Sequence, residues 1–257
     1  MKVNPAIRLL AILCVAAGAP TTAALADDDL GANPYRPSVG SPASLSAPGH
    51  FEMEAGFAHE TAPGAHLSNT PLLLKYAFTD RFGVTFGISP WMRVSAAGSS
   101  VSGNGDGSIT LKAAHPVSDA FMIGGELTAS VPVASKGLGG DHSDLTLNLI
   151  ASNDFAGFHS DINVNSTRLG DAQDPGISRQ VTGWSAGIAH PLNEKLGAGL
   201  ELSGTRQSGV GTSHQWLASL SYALSKKLVL DMYAAREHAA GVHTRKAGAG
   251  FTYLFGR

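Results

Sequence analysis

The ten histidines are the residues of this chain best suited to chemistry near neutral pH. Two of them stand in near-copies of one stretch, "AHPVSDAFM" at 114–122 and "AHPLNEKLG" at 189–197. Metal ligation would need local pairs such as H-x-H or H-E-x-x-H, and none is spelled. His66, His142, His214, His238 and His243 fall instead in stretches that read as loops. Hydrolysis would need a serine, a histidine and a third group that orients the histidine. Ser213–His214 and His59–Glu60 are isolated beginnings of such a set, and no nucleophile elbow is expected. The sequence therefore points to no catalytic residue, no metal site and no cofactor.

Charge is the other candidate chemistry. Glu52, Glu54, Lys75, Arg93, Lys112, Glu126, Asp161, Glu201 and Asp231 all stand in stretches where polar and apolar residues alternate. Each falls on the face opposite the apolar residues of its own stretch. The bases cluster early (Lys75, Arg93, Lys112), and the acids dominate elsewhere. Pairs Glu54–Lys75 and Lys112–Glu126 are expected between neighbouring strands. Asp161, Glu201 and Asp231 would then face a basic wall. Lining charges of this kind either set a transverse field that selects solutes or form an internal ion-pair network that only closes the structure.

Alternation at period two is the mark of a strand with two different faces. In "GFHSDINVN" (157–165), Phe158, Ser160, Ile162 and Val164 share one face, and His159, Asp161, Asn163 and Asn165 the other. The same reading gives about twelve strands from residue 50 onward, each as long as a tilted membrane strand of about 9–11 residues. Tight connections ("FTDRF", "VSDAF", "NDFAG", "LNEKL", "LSKKL") alternate with looser ones at 95–107, 134–144, 166–178 and 205–214. That asymmetry is the plan of an outer-membrane barrel, with short periplasmic turns and long external loops. The fold expected is all-β, an up-and-down antiparallel transmembrane β-barrel. Aromatics near strand ends (Tyr76, Phe78, Phe82, Phe121, Trp216, Tyr222, Tyr253, Phe255) fit interfacial girdles.

Composition agrees. Charged residues make up 15% of the chain, below the roughly 25% of soluble proteins. Glycine is abundant, 31 of 257 residues. A net charge of −2 gives no electrostatic case for nucleic acid. Residues 1–26 read as a signal peptide: a basic start, a short apolar run and an A-x-A site ending at Ala26. The single cysteine, Cys14, lies within it, so the mature chain is expected to hold no thiol. Residues 27–48, rich in Pro, Ser, Ala and Gly, read as an irregular leader that either enters the lumen or lies free. Residues 49–257 form the barrel.

Two stretches resemble a known family. Arg36–Pro37, "PGHFEMEAGF" and "LLLKYAFTDRF" are similar to the start of the bacterial outer-membrane transporters of the MetA pathway of phenol degradation. The resemblance implies an outer-membrane barrel that passes small, often aromatic or hydrophobic compounds. Phe251, Tyr253 and Phe255 resemble the C-terminal aromatic signal read by the outer-membrane insertion machinery, although two residues follow the last aromatic. Passive passage of a small solute is thus the expected function, in the bacterial outer membrane. A structural or adhesive barrel without flux, or an outer-membrane lipid hydrolase, is the alternative. Arg168, Arg179, Arg206, Arg236 and Arg245 gather near the outer rim, where guanidinium suits the phosphates of lipopolysaccharide.

Overall fold

The structure, a computed structural model, describes residues 30–256. The expected signal peptide lies outside them, as do residues 27–29 of the leader. Fifteen strand segments form one antiparallel sheet that closes on itself. In chain order they are β1 (Phe51–Ala62), β2 (Ala65–Asn69), β3 (Leu72–Ala77), β4 (Phe82–Ile88), β5 (Met92–Ala96), β6 (Ser99–Gly103), β7 (Gly107–Pro116) and β8 (Phe121–Val131). They continue as β9 (Leu145–Phe155), β10 (Phe158–Arg168), β11 (Gln180–Pro191), β12 (Leu196–Gln207), β13 (Gly211–Ser225), β14 (Leu228–Ala239) and β15 (Val242–Leu254).

Three crossings are broken by prolines or a glycine. Thr70–Pro71 separates β2 from β3, Ser89–Pro90 separates β4 from β5, and Asn104–Asp106 separates β6 from β7. Proline has no N–H to give a ladder, so pairing stops where it stands. Each broken pair makes one crossing, so the fifteen segments form a closed, up-and-down barrel of twelve strands. Closure is made by β15 on β1, in register from Glu52↔Leu254 to Thr61↔Arg245.

Turn chemistry is local. At the end where the chain termini lie, Thr79 Oγ1 accepts the N–H groups of Arg81 and Phe82, and Asn193 Oδ1 those of Lys195 and Leu196. Ser225 Oγ does the same for Lys227 and Leu228. Three hairpins close on an Ala-Gly pair with both residues at positive φ: Ala97–Gly98, Ala156–Gly157 and Ala240–Gly241. Such a pair gives the twist that joins antiparallel strands over two residues. The two "AHP" copies end β7 and β11, each just before a tight turn. His190 Nδ1 lies 3.0 Å from Gly157 O, and its ring packs on Phe158. These histidines mark strand ends.

Two stretches expected as loose connections are instead strand. Residues 95–103 lie in the β5–β6 hairpin, and 205–214 close β12 on β13 through a three-residue turn. Small polar residues obscured the alternation there. The connections 132–144 and 169–179 are true loops. The first folds inward: its Leu138 is buried against Leu67, Met92 and Val94, and Asp106 accepts the N–H groups of Ala134 and Gly140.

The barrel is apolar outside and polar inside. Phe86, Leu111, Leu127, Leu149, Ile162, Leu200, Leu202 and Met232 are exposed, whereas Asn148, Asp161, Asn163, Ser185, Glu201, Ser203 and Asp231 are buried. This inverts a water-soluble barrel, and an exterior of this kind is stable against lipid. Aromatic contacts gather at the short-turn end: Phe51–Tyr76, Tyr76–Phe78, Phe155–Phe158 and Tyr253–Phe255. An arginine on the outer face near mid-strand should cost about 2–4 kcal/mol in a bilayer. Leu200→Arg in β12 is expected to lose that much in urea titrations of the vesicle-refolded protein, followed by tryptophan fluorescence. An unchanged midpoint would mean that this face does not meet lipid.

Candidate functional site

Eight of the nine charges expected on the inner face are buried in the barrel: Glu52, Glu54, Lys75, Lys112, Glu126, Asp161, Glu201 and Asp231. Arg93 is the exception. It is exposed while its neighbours Met92 and Val94 are buried, so its side chain points outward. The break at Ser89–Pro90 is the cause, since it shifts the alternation by one between β4 and β5 and turns every later side chain of that crossing over.

The strand ladder fixes the pairings. Lys75 stands opposite Glu52 in register, pairs with it, and lies 2.5 Å from Glu54. Lys112 stands opposite Glu126 at 2.9 Å. The acids of the far wall do not face an open basic wall, because the leader lies between. Its Arg36 reaches Asp231 at 3.2 Å, with both side chains nearly inaccessible. Glu201 accepts the N–H groups of Val39 and Gly40 at 3.1 Å and the hydroxyl of Ser38. Asp161 accepts from Ser152, whose hydroxyl oxygen takes the Ala43 N–H.

The leader's own Tyr35 is the hub of the basic side. Lys75 Nζ sits 3.8 Å and Lys112 Nζ 4.0 Å from its ring centroid. Both are cation–π contacts in a site shielded from water, where the ring quadrupole acts with little screening. Burial, then the carboxylates of Glu126, Glu52, Glu54 and Asp161, pushes the Tyr35 hydroxyl well above its ordinary value. It remains a neutral donor to Ser44 O at 2.9 Å. Room for Arg36 is made by two inward glycines that pair across the closure, Gly56 and Gly250. A methyl at Gly56 would stand 2.5 Å from Arg36 Nη2, and one at Gly250 2.7 Å from its Nε.

Beyond the leader, toward the loop end, lies a cavity of about 310 Å³. Arg36 and residues 37–39 and 41 of the leader help line it. Its wall mixes apolar surface, such as Val181, Trp184 and Leu217, with hydroxyl and amide side chains such as Thr128, Asn148 and Gln215. Arg36, Glu126 and Asp144 line it as well, and so does a charged triad: Lys246 pairs with Glu237 at 2.9 Å and lies opposite Glu60 in register. The sequence analysis does not single out this triad. Parity would have found it, since Glu60 shares a face with Glu52 and Glu54, and Glu237 with Asp231.

The residues weighed for hydrolysis do not converge. Ser213 is buried and bonded to Thr205, whereas His214 is exposed on the other face of β13. The pattern G-x-S-x-G is in fact spelled once, as "GWSAG" at 183–187, which corrects the expectation of no such elbow. It lies inside the regular ladder of β11, not on the strand-to-helix turn that makes a nucleophile elbow. Among the described residues, no group of three or more His, Cys, Asp or Glu is placed to hold a metal ion.

Arg168, Arg206, Arg236 and Arg245 are exposed at the loop end. Arg179 is exposed there too, and its guanidinium donates to Leu169 O and Gly170 O and holds the 169–179 loop. Phe251 and Tyr253 lie on the outer face of β15, with Phe255 edge-on to Tyr253.

A closed twelve-strand barrel with this inside-out polarity has the fold of bacterial outer-membrane porins and transporters. No family model and no curated protein sequence matches the chain. Among solved structures it is similar to the NanC porin, with a TM-score of 0.60 at 9% identity over 78% of this chain and 98% of that one. The KdgM porin in complex with disordered oligogalacturonate gives 0.56 at 14%, over 79% and 99%. The CymD monoaromatic hydrocarbon channel gives 0.53 at 10%, over 82% and 90%. At these identities the likeness is one of fold.

Removing one partner of a buried ion pair costs about 3–5 kcal/mol, because the other charge is left uncompensated. Arg36→Ala is expected to lose that much, and Asp231→Asn added to it should recover most of the loss. The mature chain is expected to lack cysteine, so Ser38→Cys makes a single reporter. Maleimide should label it slowly with Arg36 present and fast in Arg36→Ala; equal rates would mean that the pair does not hold the leader.

Proposed function

We propose that this protein is an outer-membrane channel for the passive passage of a small solute, closed on its short-turn side by its own N-terminal segment. The observation that carries the proposal is the cavity: it is bounded by a wall of mixed polar and apolar side chains and floored by leader residues 36–39 and 41. Its volume of about 310 Å³ holds one small molecule and no more. The Thr, Ser, Asn and Gln side chains of the lining offer hydrogen bonds between stretches of apolar surface, which suits a hydroxylated solute. The resemblance to the phenol-pathway transporters supports an aromatic one. A hydroxylated aromatic meets both conditions, with Leu217, Val181 and Tyr233 as apolar surface at the cavity. The similar solved structures span the same range, from an oligogalacturonate complex to a monoaromatic hydrocarbon channel. Phe251, Tyr253 and Phe255 serve in this reading as the insertion signal.

Passage requires the leader to move, since it fills the lumen between Asp231, Glu201 and Lys112. Deletion of residues 30–47 is expected to raise permeation several-fold in liposome-swelling assays with small phenols and sugars. The intact protein should show rare, brief openings in planar bilayers. Lys112→Ala, which loses the bond to Pro42 O at 2.6 Å, should lengthen them. No flux from either the intact or the deleted form, with the barrel folded, would replace this reading with a structural barrel.

A further inference from the structure

The outer face of the loop end is segregated by charge. On β5, Arg93 is exposed; on β12, Arg206; on β14, Arg236 and His238; on β15, His243 and Arg245; on β13, β1 and β2, His214, His59 and His66. These segments are neighbours in one run of the sheet, β12-β13-β14-β15 closing on β1-β2-β5. The acids of the same stretches, Glu60 and Glu237, point inward. The hairpin tips here are short and hold no acid (residues 63–64, 97–98, 208–210 and 240–241). The acidic loop residues Asp141, Asp144, Asp171 and Asp174 stand on the other side of the barrel, after β8 and β10.

Within this sector the register contains a conflict. Arg236 and Arg245 are direct cross-strand partners. Like charges placed directly opposite destabilise a sheet, and neither arginine pairs with an acid among the described residues. His238 and His243 are also direct partners, with ring centroids 4.5 Å apart, and His214 is the next neighbour in that row. Trp216 faces Arg236 from β13, and the Phe57–Trp91 stack lies on the same outer surface. Exposed tryptophans of this kind sit at the headgroup level of a membrane barrel. The two guanidinium groups therefore stand where the headgroups of the outer leaflet lie.

We infer that Arg236 and Arg245, flanked by His238 and His243, form a binding site on the barrel wall for the phosphate groups of lipopolysaccharide. A phosphate set between two guanidinium groups takes charge-assisted, bidentate bonds from both and removes their repulsion. The acid-free flank lowers the cost of bringing a second phosphate close, and the short tips leave the wall open to a lipid of large headgroup. The site rests on the barrel spanning the outer membrane, but solute flux does not enter into it.

Native mass spectrometry of the full mature barrel with lipid A, with lipid A stripped of phosphate, and with phosphatidylglycerol tests the site. The wild type is expected to retain lipid A in preference to the other two. Arg236→Gln with Arg245→Gln should weaken retention at least about tenfold, which is about 1.4 kcal/mol. The double lysine variant keeps the charge, loses the fork and should fall between. Lys136→Gln, in the exposed loop after β8 on the other side, should change nothing. A heat-modifiability gel shift establishes that each variant is folded, and the lysine pair supplies the result if the glutamine pair does not fold. Equal retention of lipid A in the double variants and wild type overturns the site. So does equal retention of dephosphorylated lipid A or of phosphatidylglycerol by the wild type.

Discussion

A carboxylate inside a barrel must be satisfied by something other than bulk water, and that need organises this molecule. Glu54 takes the backbone N–H groups of Tyr35 and Arg36 as well as the Lys75 ammonium. Glu52 takes the Asn33 N–H, Glu201 those of Val39 and Gly40. Asn163 and Ser152 take those of Ser41 and Ala43. The leader, with prolines at 34, 37 and 42, cannot join a ladder. Its remaining N–H groups still need acceptors once buried. Wall acids and leader amides thus complete one another, and neither would be satisfied alone in a dry lumen.

The glycine content follows partly from the same fit. An extra chain can lie in a twelve-strand lumen only where the wall stands back. Gly56 and Gly250 do so under Arg36, and Gly124 does so under Ala43, where an added methyl would lie 3.1 Å from the leader backbone. At the loop end a second inward element, residues 132–144, brings Leu138 against Leu67, Met92 and Val94. The cavity is what remains between these two fillings.

Strand identity, strand count and the inner faces were legible because period-two alternation reports both faces at once. Lys75, Lys112, Glu201 and Asp231 could each be assigned to a face from their immediate neighbours. Arg93 could not, because a single irregular step at Ser89–Pro90 inverts the parity, and nothing in the flanking pattern records its direction. The hairpins at 95–103 and 205–214 were hidden for another reason. Ser and Gly on both faces carry no contrast, so strand and loop look alike there. The leader's place was not legible at all. Its partners are 19 residues away at Glu54 and 195 away at Asp231, and composition says only that the segment is irregular.

The same bonding explains how a closed lumen can be opened without disturbing the barrel. Among the described residues, the hydrogen bonds that join the leader to the wall run to wall side chains, apart from the Pro48–Ala77 bridge, Ala32 on Lys226 and Gly49 on Ala77, which lie at its ends. The ladders of all twelve crossings are complete without it. Withdrawal therefore costs the Arg36–Asp231 pair and the leader's amide bonds. That cost is large only while the lumen stays dry. Between charges about 4 Å apart, the attraction falls from about 4 kcal/mol at an effective dielectric of 20 to about 1 in water. Water entering the lumen weakens the pair and satisfies the wall acids and freed amides together. Hydration and release then support each other, so the segment should leave as a unit and the barrel should hold two states, sealed and flooded.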